Sequence, residues 1–157
     1  MRIVDATHGF GAPLTADEAK DFLVISRLNV HIGTIDTKGY PNIHPTLYYF
    51  DESSNNIYLA TSKHSKKIIN LKRNPLIYFC IDDPNPPYKG VRGKGKARIN
   101  ENIHDNISIV EKIMLKYLGS LEHQMARTLI ELVRKGDEVG IVITPEYFPT
   151  WDYGKIT

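Results

Sequence analysis

The residues of this chain best suited to chemistry lie together at Thr61-Ser62-Lys63-His64-Ser65-Lys66-Lys67. Three hydroxyls and three lysines fall within this short stretch. It begins where an alternating run, Ile57 to Thr61, ends, and it enters a helical pattern over Ser65 to Arg73 that Asn74-Pro75 closes. A strand end running into a helix start presents free backbone N–H groups and the positive end of the helix dipole. Such a terminus is a ready anion site. Hydroxyls add donors there, and a lysine adds a point charge suited to phosphate. A plainer reading competes: Ser62 or Ser65 caps the helix and the lysines are solvated. Lysines in a first helical turn oppose the dipole, at roughly 0.3–1 kcal/mol each when exposed. A bound anion removes that conflict.

Other reactive side chains are sparser. The six histidines are scattered without HExxH or other ligand spacing, so no metal site is expected. No Ser-His-Asp arrangement can be inferred from spacing. Cys80, the single cysteine, excludes an intrachain disulfide and a CxxC site, and its apolar surroundings suggest an inert core thiol. Arg92, Lys94, Lys96 and Arg98 share one face of an alternating strand whose other face is Val91, Gly93, Gly95, Ala97 and Ile99. The basic face reads as a solvated outer surface with acidic cross-strand partners, or as a contact for a cofactor or nucleic-acid phosphate. Little aromatic interleaving occurs there, which counts against single-strand stacking.

The elements that must position these residues follow from pattern. Thr15-Ala16-Asp17-Glu18 is a capping box and starts a helix over about Ala16 to Ser26. Leu28 to Thr34 alternates as a strand, and Asp36-Thr37-Lys38-Gly39 turns the chain. A second strand is expected over Asn42 to Phe50, where Pro45 implies an edge or a bulge. With Ile57 to Thr61 these strands form an antiparallel meander. The run Leu76 to Ile81 lacks alternation, which predicts a strand covered on both faces. Two helices follow: Ile103, Ile107, Val110, Met114 and Tyr117 mark the first, which Gly119 ends, and Met125, Leu129, Leu132 and Val133 mark the second, which Gly136 ends. A last strand is expected over Glu138 to Thr144.

Composition bounds the answer. A length of 157 residues suits one domain, residues 1–157, with enough chain to bury a core. Hydrophobic residues make up 41% and charged residues 24%, the profile of a soluble globular protein. A net charge of +2 is too balanced to argue for nucleic-acid or membrane binding. The N-terminus has no apolar h-region, and no apolar run approaches the ~20 residues of a membrane span, so a cytoplasmic protein is expected.

In this order and spacing, the pieces resemble the pyridoxamine 5'-phosphate oxidase-like FMN-binding split barrels. Gly39-Tyr40-Pro41-Asn42-Ile43-His44-Pro45 looks like that family's turn and entry into its second strand. Tyr58-Leu59-Ala60-Thr61, then Ser65-Lys66-Lys67, looks like its strand-end threonine followed by Ser-basic-Lys. Asn70-Leu71 with Asn74-Pro75 looks like its helix exit, and Gly95-Lys96-Ala97 like its returning strand. Pro145 and Trp151 resemble its Pro-Asp-x-x-x-x-Trp pattern, with Glu146 in place of the aspartate.

The resemblance implies a mainly β fold with flanking helices: a six-stranded antiparallel Greek-key split barrel, forming a homodimer with FMN at the subunit interface. It implies that Thr61, Lys66 and Lys67 hold the FMN phosphate with Ser62 and Ser65 close by. Lys66 stands where many members have arginine, which loses the bidentate fork. His44, Pro45, Thr46 and Leu47 would line the isoalloxazine ring, largely through backbone groups. Trp151 would reach the flavin of the second copy, the alternative being an ordinary core or interface aromatic. His44 is either a strand histidine or a hydrogen-bonding group beside the flavin.

The family's flavin-contacting glutamine is absent near Lys89-Gly90. After Trp151 the sequence lacks the arginine- and histidine-bearing segment that pyridoxamine phosphate oxidases use on the substrate phosphate. The expectation is therefore an FMN-dependent oxidoreductase with a small-molecule substrate or electron donor other than pyridoxamine phosphate. The alternatives are a deazaflavin-dependent reductase on the same fold and a non-enzymatic flavin- or haem-binding protein.

Overall fold

Nine strands and four helices make up the computed structural model, which describes residues 1–156. In chain order these are β1 (Ile3–Asp5), α1 (Ala16–Ile25), β2 (Val30–Ile35), β3 (Pro41–Thr46), β4 (Tyr49–Asp51), β5 (Asn56–Ser62), α2 (Lys66–Arg73), β6 (Leu76–Asp83), β7 (Lys89–Asn100), α3 (Ile103–Leu118), α4 (Gln124–Arg134), β8 (Glu138–Pro145) and β9 (Phe148–Asp152). The expected capping box is present: the Glu18 N–H donates to Thr15 Oγ1 at 3.2 Å, and the Thr15 N–H donates to Glu18 Oε2 at 2.8 Å. Gly119 and Gly136 end the long helices with φ of 71° and 74°, a left-handed conformation that glycine adopts without a Cβ clash.

The strands hydrogen-bond in the order β3-β2-β6-β7-β8-β5-β4, every neighbour antiparallel. The two ends of that path, β3 and β4, are joined by Leu47 and Tyr48 alone, so the sheet must curl to bring its edges together. The result is a mainly antiparallel half-barrel with flanking helices. β9 pairs with β7 at Lys89–Val91 and runs parallel to β1. β7 pairs with β6 along one edge and with β9 and then β8 along the other, and Gly93 and Gly95 lie where that second edge passes from β9 to β8. A Cβ on Gly93 would collide with the Tyr147 carbonyl, and one on Gly95 with the Thr144 carbonyl, so the small residues of this strand serve close backbone approach.

Three expectations need correction. The barrel has more than six strands: seven lie on the main path, and β1 and β9 are added through pairings distant in sequence. The two antiparallel pairings of the meander form, but not around one continuous middle strand. That strand breaks at Leu47-Tyr48, β3 staying on β2 and β4 crossing to β5 at the far end of the path. Pro45 does lie on an edge strand, as expected. Finally, β6 is not covered on both faces. Ile77, Phe79 and Ile81 point inward, while Leu76 and Tyr78 are exposed and Cys80 is half-buried on the outer side. Cys80 is therefore not a core residue, although partial burial still pushes its thiol up to about 11.

The strand covered on both sides is β8, buried continuously from Val139 to Ile143. Its inner face joins the barrel core with Ile32, Phe50, Leu59 and Phe79, and α3 and α4 pack on its outer face. Ile109, Val110, Ile113, Met114, Ala126, Ile130 and Val133 form that second core against Tyr58 and Ala60 of β5. The apolar stripe of α4 is thus centred on Ala126 rather than on Met125, which is exposed. Among the described residues no helix is long and apolar enough to cross a membrane.

Candidate functional site

The strand-to-helix segment forms as expected, with β5 delivering Thr61 and Ser62 and α2 starting after Ser65. Ser65 takes the N-cap backbone conformation, and its carbonyl accepts from the N–H groups of Ile68 (3.1 Å) and Ile69 (3.2 Å). Its hydroxyl does not cap: Ser65 Oγ is buried and has no hydrogen-bond partner. Ser62 Oγ accepts only from the His64 N–H at 3.3 Å. Neither serine hydroxyl therefore caps α2, whose leading N–H groups, those of Lys66 and Lys67, have no intrahelical acceptors. Below it, Asn70 anchors the helix to β2 by donating to Thr34 Oγ1 at 2.9 Å, both side chains being buried.

The three lysines of the segment have different fates. Lys63 is engaged with Asp137, through an ion pair at 3.1 Å and a bond from its N–H to the Asp137 carbonyl at 2.9 Å. Lys66 is exposed. Lys67 is half-buried and donates to Thr61 Oγ1 at 3.0 Å. Burial lowers its pKa, which the carboxylate of Glu138 partly offsets. Glu138 shows the mirror image: burial raises its pKa, and Lys67 partly offsets that. His44 is held below the usual histidine range, first by burial and then by the charge of Lys67, and its buried Nε2 has no partner.

A cavity of about 260 Å³ opens beside this cluster. Thr46 and Leu47 from the β3 end, Thr61 and Ser62 from β5, and Glu138 from β8 form its sheet side. Val110, Ile113 and Met114 of α3 and Leu129 of α4 form its apolar wall. Two strands that never pair, β3 and β5, thus contribute to one site because the sheet curls. Lys67 joins the cluster through Thr61, and His44 senses Lys67 electrostatically. Pro45 sits on the edge strand opposite His31. Trp151 lies elsewhere, in β9 opposite Gly90, with its ring in the space a Cβ on Gly90 would need. Among the described residues the basic row of β7 has one acidic partner, Lys94 with Glu146 at 3.7 Å.

Sequence reasoning missed Glu138 and the helical wall. Glu138 is a lone carboxylate at a strand start with no spacing signal. Val110, Met114 and Leu129 were legible only as core positions, and helical periodicity cannot distinguish a core face from a cavity wall.

The buried Ser65 hydroxyl, the Lys67 ammonium and the α2 N-terminus lie in one strand-to-helix segment and make a set of donors for an anion, with the Glu138 carboxylate as an acidic neighbour of Lys67. An apolar cavity with a few polar groups along one side suits the body of a small molecule.

An antiparallel half-barrel carrying this cradle at a strand-to-helix junction defines the class as a split β-barrel. The sequence profile described as pyridoxamine 5'-phosphate oxidase matches residues 15–152, and the chain belongs to that family. No curated protein matches the sequence at a significant level. Among solved structures, the chain is similar to a conserved hypothetical protein of Mycobacterium tuberculosis, with a TM-score of 0.78 and 25% identity over 90% of this chain and 87% of that one. It is similar to an F420 reductase, with a TM-score of 0.61 and 25% identity over 82% of this chain and 94% of that one. It also shares its fold with the haem storage protein of Vibrio cholerae, with a TM-score of 0.64 and 15% identity over 83% and 89% of the two chains.

Proposed function

We propose that this chain is a single-domain FMN-dependent oxidoreductase that works as a homodimer on a small-molecule substrate or electron donor. The observation that carries the reading is the buried, partnerless Ser65 hydroxyl at the α2 N-cap, beside a half-buried Lys67 that makes no ion pair among the described residues. Thr61, Ser62, Ser65, Lys66 and Lys67 would hold the phosphate, and His44, Pro45, Thr46 and Leu47 would line the ring. Trp151, outside the cavity of its own chain, is offered to the cofactor of the second copy.

When bound, FMN supplies the redox chemistry of hydride transfer. The chain's own residues bind, orient and keep water out: α3 and α4 close the cavity with apolar side chains, and a neutral His44 leaves Nε2 free for a hydrogen bond. Glu138 and Lys67 keep opposite charges near one another at the polar side.

The test is mass spectrometry of the ligand released from purified protein, with the absorption spectrum recorded before and after adding NAD(P)H. The expected result is FMN and a flavin spectrum that bleaches. A colourless protein whose melting temperature does not move with FMN overturns the reading.

The likeness to an F420 reductase supports a second reading, a deazaflavin coenzyme in the same cradle. The mass of the released ligand separates the two. A flavin that never turns over any donor, or a haem in its place, identifies a binding protein instead.

A further inference from the structure

The C-terminal end of α1 is capped by another helix. Lys116 of α3 donates from Nζ to the Leu23 carbonyl at 2.8 Å, and Tyr48 Oη donates to the same carbonyl at 2.9 Å. α1 has no basic residue in its own last turn, so Lys116 supplies the positive charge favoured there. Its ammonium lies 3.4 Å from the centroid of the buried Tyr48 ring. This structural role accounts for one donor of the three that the ammonium carries.

Lys116 also lines a cleft of about 290 Å³ with Arg27, Lys112, Val24, Ile25 and Tyr49 among its walls. Three of these residues are cations and none of the cleft residues is acidic. Five of the chain's twenty lysines and arginines meet a carboxylate, namely Lys63, Lys94, Arg127, Arg134 and Lys155; what sets the cleft apart is three cations lining one concavity with no acidic residue. Among the described residues Arg27, Lys112 and Lys116 form no ion pair. Lys112 and Lys116 are four residues apart on α3, where like charges repel. Burial pushes the Lys116 amine down to about 7, the direction taken by a cation removed from water without a counter-ion. The remaining walls are apolar: Ile25 is 73% exposed at the rim, and Lys112 lies over the Tyr49 ring at 5.1 Å.

We infer that this cleft binds a small organic carboxylate with an apolar body. Arg27 offers the planar fork that matches a carboxylate, Lys112 adds a point charge, Lys116 adds a donor whose protonated form a bound carboxylate would favour, and Val24, Ile25 and Tyr49 receive the body. None of these residues belongs to the α2 cradle, so the two sites stand or fall separately.

The experiment is a titration of the full chain with benzoate and with its neutral isostere benzamide, followed by the methyl NMR signals of Val24 and Ile25. Benzoate is expected to move them saturably and benzamide to leave them in place. Arg27→Gln and Lys112→Gln, both at exposed side chains, are each expected to weaken benzoate binding roughly tenfold. Lys116→Met should abolish binding but also removes a helix cap, so the two glutamine variants decide the matter. Equal shifts with the two probes, no shift with either, shifts at Val110 and Leu129 instead, or unchanged benzoate affinity in both glutamine variants would overturn the inference.

Discussion

Lys67 is half-buried and bonded to a hydroxyl, Thr61 Oγ1, rather than to a carboxylate. A cation in that position gains most from an anion that completes its shell, because hydrogen bonds to charged groups are worth more than neutral ones. Lys67→Ala is therefore expected to weaken FMN binding by roughly 1.5–3 kcal/mol, read by calorimetry. Unchanged affinity would remove Lys67 from the site. His44 reports on the same charge from the other side. Burial and Lys67 both lower its pKa from the ordinary 6.5, so the ring is neutral at neutral pH. The sign for stability follows: as pH falls through the ordinary value, the unfolded chain takes a proton that the folded chain resists, and folding weakens. Histidine NMR should place His44 below the usual range and show it rising in Lys67→Gln, where one of its two causes is gone. A parent value at or above 6.5 would contradict the buried placement.

At the scale of elements, much was legible because it is local. The Thr15/Glu18 capping box, the glycine stops at Gly119 and Gly136, the edge position of Pro45 and the strand-to-helix junction at Thr61–Lys67 all formed where pattern placed them. What was not legible depends on partners distant in sequence. β6 looked covered on both faces because its outward residues Leu76 and Tyr78 are as apolar as its inward ones, and only the position of α3 and α4 over β8 shows which strand is covered. β1 and β9 are short and held by each other and by β7, so periodicity could not find them. The same holds for Lys116, an ordinary helix lysine in sequence that becomes a cap for α1 only in three dimensions. Its pKa, lowered by burial from 10.5 to about 7, carries a pH signature. Above about 7 the unfolded chain holds a proton that the folded chain has released, so stability should rise as pH increases from about 7 to about 9. Beyond that window Cys80, Tyr117 and Tyr48, all with raised folded values, act in the opposite direction, because the unfolded chain loses protons that the folded chain keeps. Urea unfolding across the window should show the rise in the parent and lose it in Lys116→Met. A parallel slope in both proteins would assign the rise to other groups.

The whole molecule has one unbalanced surface. Helices α3 and α4 cover β5 and β8, but the outer face of β3, β2 and β6 has no such cover. In register across it lie Ile43, Gly33 and Tyr78, continued by Lys94 of β7. Ile43 is 69% and Tyr78 is 55% exposed, and Leu76 and Tyr40 are exposed near them. Single exposed apolar residues are ordinary, whereas a run of large ones across adjacent strands marks a contact surface. A flat sheet face with a glycine at its centre also suits its own symmetric copy, since a two-fold interface sets the same patch against itself. Under the proposed homodimer this face is the contact, and it adjoins β3, the strand that carries His44, Pro45 and Thr46. The parent should sediment near twice the 17.9 kDa chain mass. Ile43→Lys with Tyr78→Lys places two charges on that face without entering the core, because both side chains point outward. That double variant is expected to sediment near one chain mass, keep its melting temperature at low protein concentration, and bind FMN more weakly. If it stays dimeric the contact lies on another face. A parent that sediments at one chain mass removes the homodimer, and with it the role of Trp151 at a second copy's cofactor.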